Sequence, residues 1–202
     1  MLKLYDYLDS GNGYKIRLLL RQLQLPFEYV EKDILRGETR TPEFLARNPN
    51  GRIPVLELDD GSFIFESNAI LWYLAEDTRF APRSRRARAE TLQWMFFEQY
   101  SHEPYVATPR FIVRHLAADH PRRQDLPRLL ETGRAALAVM ERHLKSRTFF
   151  VDERYGIADI ALYAYTHVAE QGGHVLAPYP AVRAWLARVA AEPDYLALDA
   201  QP

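Results

Sequence analysis

The spacing of apolar positions divides this chain into two regimes. Leu2 to Tyr7 reads as an opening strand. Ile16, Leu19, Leu20 and Leu23 then fall at i, i+3, i+4 and i+7, which gathers them on one face of an amphipathic helix. Between the two, Asp9-Ser10-Gly11-Asn12-Gly13 reads as a turn-rich segment. Pro26 punctuates, and Phe27 to Val30 alternates as a second strand. Thr41 offers an N-cap hydroxyl and Pro42 a first helical residue, so a short helix is expected over Glu43 to Arg47. The cluster Asn48-Pro49-Asn50-Gly51 closes it. Residues 51–67 follow as an apolar strand broken by Pro54, a hairpin turn at Asp60-Gly61, a second strand, and the start of a helix at Asn68.

The order is β-α-β-α-β-β-α. The first crossover is long enough to make strands one and two parallel, and the last two strands form an antiparallel hairpin. A mixed four-stranded sheet with helices packed on it is the expected result. From Arg85 onward no strand is expected. Helical stripes run through Leu126, Leu129, Leu130, Leu137, Met140 and Leu144, through Ile157, Ile160, Ala161, Ala164 and Val168, and through Val182, Trp185, Leu186 and Val189. The stretch Ser84 to Ala118 also has helical period, but Pro104 and Pro109 must kink or split it. The expected organisation is residues 1–77 as an α/β domain, 78–84 as a linker and 85–202 as an all-helical domain. Gly156-Ile157-Ala158-Asp159 reads as a helix start, with Gly156 as N-cap and the Asp159 carboxylate accepting from orphan amides.

Composition narrows the chemistry. The 202 residues are 48% apolar and 26% charged, which suits a folded globular chain. A net charge of -1 gives no global pull toward nucleic acid or an anionic membrane. The run Arg83, Arg85, Arg86 and Arg88 reads as a solvated helix start. With no cysteine, disulfides, thiolate metal sites and a protein thiolate nucleophile are excluded. No apolar run is long enough for a membrane span, and no signal-peptide pattern opens the chain, so a cytoplasmic location is expected. Gly11-Asn12-Gly13 lacks the third glycine of a dinucleotide loop, and the six histidines have no metal-ligand spacing, so no metal is expected.

The site signal lies in residues 51–67. A proline cannot donate to a strand ladder, so Pro54 leaves the main chain of Ile53 to pair with something else. Glu66-Ser67 puts a carboxylate and a hydroxyl at the mouth of the next helix. The combination reads as a site for a short peptide cofactor.

Together the chain resembles the glutathione transferase family. The resemblance rests on Asn48-Pro49-Asn50-Gly51-Arg52-Ile53-Pro54-Val55-Leu56, on Glu66-Ser67-Asn68-Ala69-Ile70 and on Gly156-Ile157-Ala158-Asp159, in the family's order and spacing. Ser10-Gly11-Asn12-Gly13 is similar to the first loop of bacterial, Nu-class-like members, which place a hydroxyl and an asparagine near the glutathione sulfur. The resemblance implies a thioredoxin-like domain, a cis bond before Pro54, a homodimer, and glutathione as co-substrate for a detoxifying conjugation. Ser10 and Asn12 would stabilise the thiolate. Ile53 and Pro54 would receive the cysteinyl unit, Ser67 and Glu66 the γ-glutamyl end, and Arg52 or Arg40 the glycyl carboxylate. Tyr100, His102, Tyr105 and Arg110 would line the pocket for a small electrophile. The chain departs from the family at Gly156, where Ser or Thr is usual, and in lacking the early catalytic tyrosine of several animal classes. Three activities follow: thioether formation, glutathione-dependent reduction of disulfides or peroxides, or glutathione binding without turnover.

Overall fold

A computed structural model describes residues 1–201. The chain divides into two compact units, Met1–Ala81 together with the residues from Pro193 on, and Pro82–Glu192.

The first unit is built on β1 (Leu2–Asp6), α1 (Gly11–Gln22), β2 (Phe27–Glu31), α2 (Pro42–Arg47), β3 (Val55–Glu57), β4 (Phe63–Phe65) and α3 (Ser67–Ala75). The strand order is β2-β1-β3-β4, with β1 and β2 parallel and the other two pairings antiparallel. This is the expected mixed sheet and the thioredoxin-like arrangement. Alternation along the strands splits the core between the two faces. Tyr5 and Val55 join Phe44 of α2 on one face, with Val30, Ile53 and Phe63 packed around them. Leu4 and Leu56, one residue along, are buried on the other.

Helix α1 departs from its expected form. It starts at Gly11 inside the supposed turn segment, with Ser10 as N-cap, and it is buried on nearly every side. Helix α3 packs against it, and so does the C-terminal segment, which the sequence reading assigned to the helical domain. Tyr14 donates its hydroxyl to the Leu196 carbonyl (2.6 Å), Arg17 Nη1 donates to the Leu198 carbonyl (2.9 Å) and Gln22 reaches the Pro193 carbonyl (3.4 Å). The expected linker at 78–84 spans the division between the two units.

The second unit contains α4 (Arg85–Phe97), α5 (Glu103–His115), α6 (Leu126–Leu144), α7 (Ile157–Thr166) and α8 (Pro180–Ala190). The break expected at the prolines is a π-helical turn over Glu98–His102, just before Pro104. Pro109 lies inside α5. Trp94, Phe150, Tyr163 and Trp185 form an edge-to-face aromatic cluster in the core. Asp159 sits within it, accepting from Gly156 N (3.1 Å), Phe150 N (3.1 Å) and Trp185 Nε1 (2.9 Å). Burial pushes its carboxyl up to about 7, against the pull of these donors. Among the described residues no helix is long and apolar enough to cross a membrane.

Candidate glutathione site

The register of the sheet gathers the site. Tyr5 pairs with Val55, and Val55 pairs with Phe65. The exit of β1, the entry to β3 and the exit of β4 therefore share one end of the sheet. Three segments meet that end: the loop into α1, the approach to Pro54, and the turn into α3.

At the first, the Ser10 hydroxyl accepts from Gly13 N at 3.4 Å and so caps α1. Accepting there leaves its proton available for donation. Asn12 follows in the first turn. At the third, Ser67 opens α3 and is buried, and its hydroxyl donates to Asn12 Oδ1 at 3.3 Å. Two of the expected site residues, 55 positions apart, are thus in contact. Lys15 donates to the same Ser67 oxygen at 3.2 Å from a fully buried position. Sequence reasoning passed over this lysine, since a lone cation one position before an apolar stripe looks solvent-facing.

Glu66, the N-cap of α3, has φ 70 and ψ 112 and makes no side-chain capping bond. A non-glycine residue in that region costs about 1–3 kcal/mol, and such strain gathers at functional turns. Its carboxylate is exposed beside the first-turn amides of α3, which have no helical partner.

The approach to Pro54 is held by Asn48, read from the sequence as part of a turn and of the family's loop before the proline, with no role for its side chain. It is buried, donates to the Arg52 carbonyl (2.7 Å) and accepts from Asn50 N (3.0 Å). Arg40 donates to the Asn50 carbonyl (3.1 Å), and its guanidinium fills the space where a side chain at Gly51 would stand. With φ 63 at Gly51 as well, only glycine suits the corner. Arg52 is exposed beside it. The Ile53–Pro54 bond is cis. Because β3 starts at Val55, the Ile53 main chain lies outside both ladders.

Two tyrosines near the site are committed elsewhere. Tyr5 donates to Glu57 Oε2 (2.6 Å) and Tyr14 to the Leu196 carbonyl.

The four expected pocket residues lie in the second unit, and two of them belong to its interior. His102 is fully buried, with Nε2 2.9 Å from Thr166 Oγ1. The Thr166 proton goes to the Leu162 carbonyl, so His102 is the donor. Arg110 is buried and donates to Gln171 Oε1 (2.8 Å). These two read better as internal ties than as a pocket wall, because each is buried and hydrogen-bonds to a side chain of the helical packing. Tyr105 is half-buried, its carbonyl receiving His174 Nε2 (2.9 Å), and Tyr100 is 84% exposed.

Comparison with known proteins identifies the family. Residues 1–76 match the N-terminal domain of glutathione S-transferase and residues 93–193 its C-terminal domain. A glutathione S-transferase from Pseudomonas fluorescens Pf-5 superposes with a TM-score of 0.95 at 51% identity, covering 98% of each chain. A glutathione transferase from Burkholderia graminis, solved with two glutathione molecules per subunit, gives 0.82 at 29% identity, covering 96% of this chain and 85% of that one. The disulfide-bond oxidoreductase YfcG of Escherichia coli (strain K12) is 32% identical over 96% of this chain and 92% of its own length. Elongation factor 1-gamma of Equus caballus is 33% identical over 80% of this chain, which spans only 37% of that longer protein. The chain belongs to the glutathione S-transferase family.

Proposed function

We propose that this chain is a glutathione transferase that ionises the glutathione thiol at the start of α1 for attack on a small electrophile. The thiolate forms a carbon–sulfur bond as the leaving group departs with its electron pair, giving a thioether. In this reading the Ile53 main chain pairs with the cysteinyl unit in the manner of an added strand. The first-turn amides of α3 hold the γ-glutamyl carboxylate, since helix N-termini favour anions. They do so rather than the Ser67 hydroxyl, whose proton goes to Asn12. Glu66 accepts from the γ-glutamyl amine, and Arg52 with Arg40 meets the glycyl carboxylate.

A free thiol with a pKa of about 8.5 is only a few per cent ionised at neutral pH. Ser10, with a proton to give, and Asn12, with its amide nitrogen, are the donors that favour the thiolate. The contact between Asn12 and Ser67, which joins the mouths of α1 and α3, carries this reading. Its test is the ultraviolet absorbance of bound thiolate across pH in wild type, Ser10→Ala and Asn12→Ala, alongside conjugation of an aryl halide. Both variants should raise the thiol pKa and slow conjugation. An unchanged thiol pKa in both removes these residues from the chemistry.

A second reading is favoured by the likeness to the disulfide-bond oxidoreductase over nearly the whole chain. Because the chain has no cysteine, glutathione must supply both thiols. One thiolate attacks the disulfide and releases one substrate thiolate. A second glutathione thiolate attacks the mixed disulfide, releasing the other and oxidised glutathione. Parallel assays with an aryl halide and a small dialkyl disulfide separate the two readings, and calorimetry with glutathione in the absence of either activity would identify a binding module.

The reading carries with it a cytoplasmic homodimer. Leu92 and Phe96, one turn apart on α4, are 39% and 69% exposed, an apolar stripe that suits a second copy of the chain.

A further inference from the structure

The hydrogen-bond chain that reaches Asn12 has a direction, and Lys15 sets it. An ammonium donates only, so the Ser67 oxygen is the acceptor in the 3.2 Å contact from Lys15. The Ser67 hydroxyl has one proton, and it faces Asn12 Oδ1 at 3.3 Å. If Asn12 turned its amide nitrogen toward Ser67 instead, the hydroxyl would accept from both Lys15 and Asn12, and its own proton would lose the Asn12 acceptor. The observed arrangement turns the Asn12 oxygen, and not its amide nitrogen, toward Ser67. The other charged pair at this end of the helix does not compete for the role. Asp6, whose carboxylate lies against Gly13, is bound to Arg17 at 3.0 Å, and both are fully buried. Glu66, the nearest acid on α3, is exposed.

We propose that Lys15 is a positioning residue for thiol activation: through Ser67 it holds Asn12 with its amide N–H, not its carbonyl, presented to the glutathione sulfur. This rests on the reading above, in which Asn12 faces the sulfur. A donor pointed at a developing thiolate stabilises it, whereas a carbonyl oxygen there repels it. Lys15 acts without touching glutathione. Its loss frees the Asn12 amide to reverse and so converts a stabilising dipole into an opposing one.

The experiment is a mutant cycle read by thiolate absorbance at saturating glutathione. It uses wild type, Lys15→Met, Asn12→Ala and the double variant, each checked by circular dichroism. Lys15→Met should raise the bound thiol pKa by about one unit, the scale of one hydrogen bond to a charged group. The same change in the Asn12→Ala background should do nothing further. Ser67→Ala breaks the chain at its middle link and provides the same test should Lys15→Met not fold. If Asn12→Ala raises the thiol pKa but folded Lys15→Met and Ser67→Ala do not, this inference fails while the reading of the site stands. It also fails if Lys15→Met shifts the pKa equally with and without Asn12, since the charge would then be acting directly. If Asn12→Ala itself changes nothing, the reading of the site fails first.

Discussion

Replacing Gly13 by alanine sets two effects of opposite sign against each other. Gly13 lies inside α1, where Gly→Ala ordinarily stabilises a helix by about 1 kcal/mol. A Cβ built at this position, however, would stand 1.6 Å from Asp6 Oδ1 and 1.9 Å from Asp6 Cγ. The carboxylate cannot swing away cheaply. It is fully buried and bonded to Arg17 Nε at 3.0 Å, and Arg17 in turn holds the Leu8 carbonyl (2.6 Å) and the Leu198 carbonyl (2.9 Å). Alanine must therefore displace one half of a buried ion pair, and disrupting such a pair costs about 3–5 kcal/mol. The net expectation is a loss of about 2–4 kcal/mol, or roughly 1–2 M in the urea midpoint at a slope of about 2 kcal/mol/M. Urea unfolding followed by circular dichroism measures it. Asp6→Ala is destabilising on its own, because it strands Arg17. Adding Gly13→Ala to that variant should cost nothing more and should recover the helix gain. A single Gly13→Ala protein as stable as wild type, or more stable, would show that propensity governs the site and that the packing argument is wrong.

Asn48→Ala leaves the Arg52 carbonyl and the Asn50 amide without their partner, so it should lower stability by about 1–3 kcal/mol and weaken glutathione binding measured by calorimetry. Asp159 gives a pH dependence opposite to that of most carboxylates. Its native pKa is raised to about 7 from an unfolded value of about 4, so between those limits the native state binds a proton that the unfolded state has released. Its contribution to stability therefore falls as pH rises through that window, and Asp159→Asn, although less stable, should lose that part of the slope in urea midpoints measured at successive pH values. Phe96→Arg should convert the proposed dimer to monomers in light scattering after gel filtration, and an unchanged dimer mass in that variant would place the interface elsewhere.

What could be read from the sequence was what local spacing determines. The apolar stripes of α6, α7 and α8, the N-cap at Thr41 with Pro42 after it, and the Asp159 carboxylate bonded back to Gly156 N are each set by residues a few positions apart. The approach to Pro54 belongs to the same class, since Asn48 meets its partners within four residues. Helix α1 shows where such reasoning stops. Its stripe of Ile16, Leu19 and Leu20 was visible, but Lys15 and Arg17 are as deeply buried as those leucines. No local pattern signals that, because what makes their burial tolerable arrives from far along the chain: Ser67 for Lys15, and the Leu198 carbonyl as well as Asp6 for Arg17. A buried cation is tolerated only where partners converge on it, so its burial is a property of the tertiary structure and not of the helix. Gly13 was misread for the same reason. The turn-rich composition around it predicts a turn, yet it sits in a helix and serves by having no side chain where Asp6 passes. One of these long-range contacts, from Lys15 to Ser67, continues to Asn12. The residues proposed for thiol chemistry, Ser10 and Asn12, could be named from the sequence, but the lysine proposed to orient Asn12 became apparent only once α3 was in place.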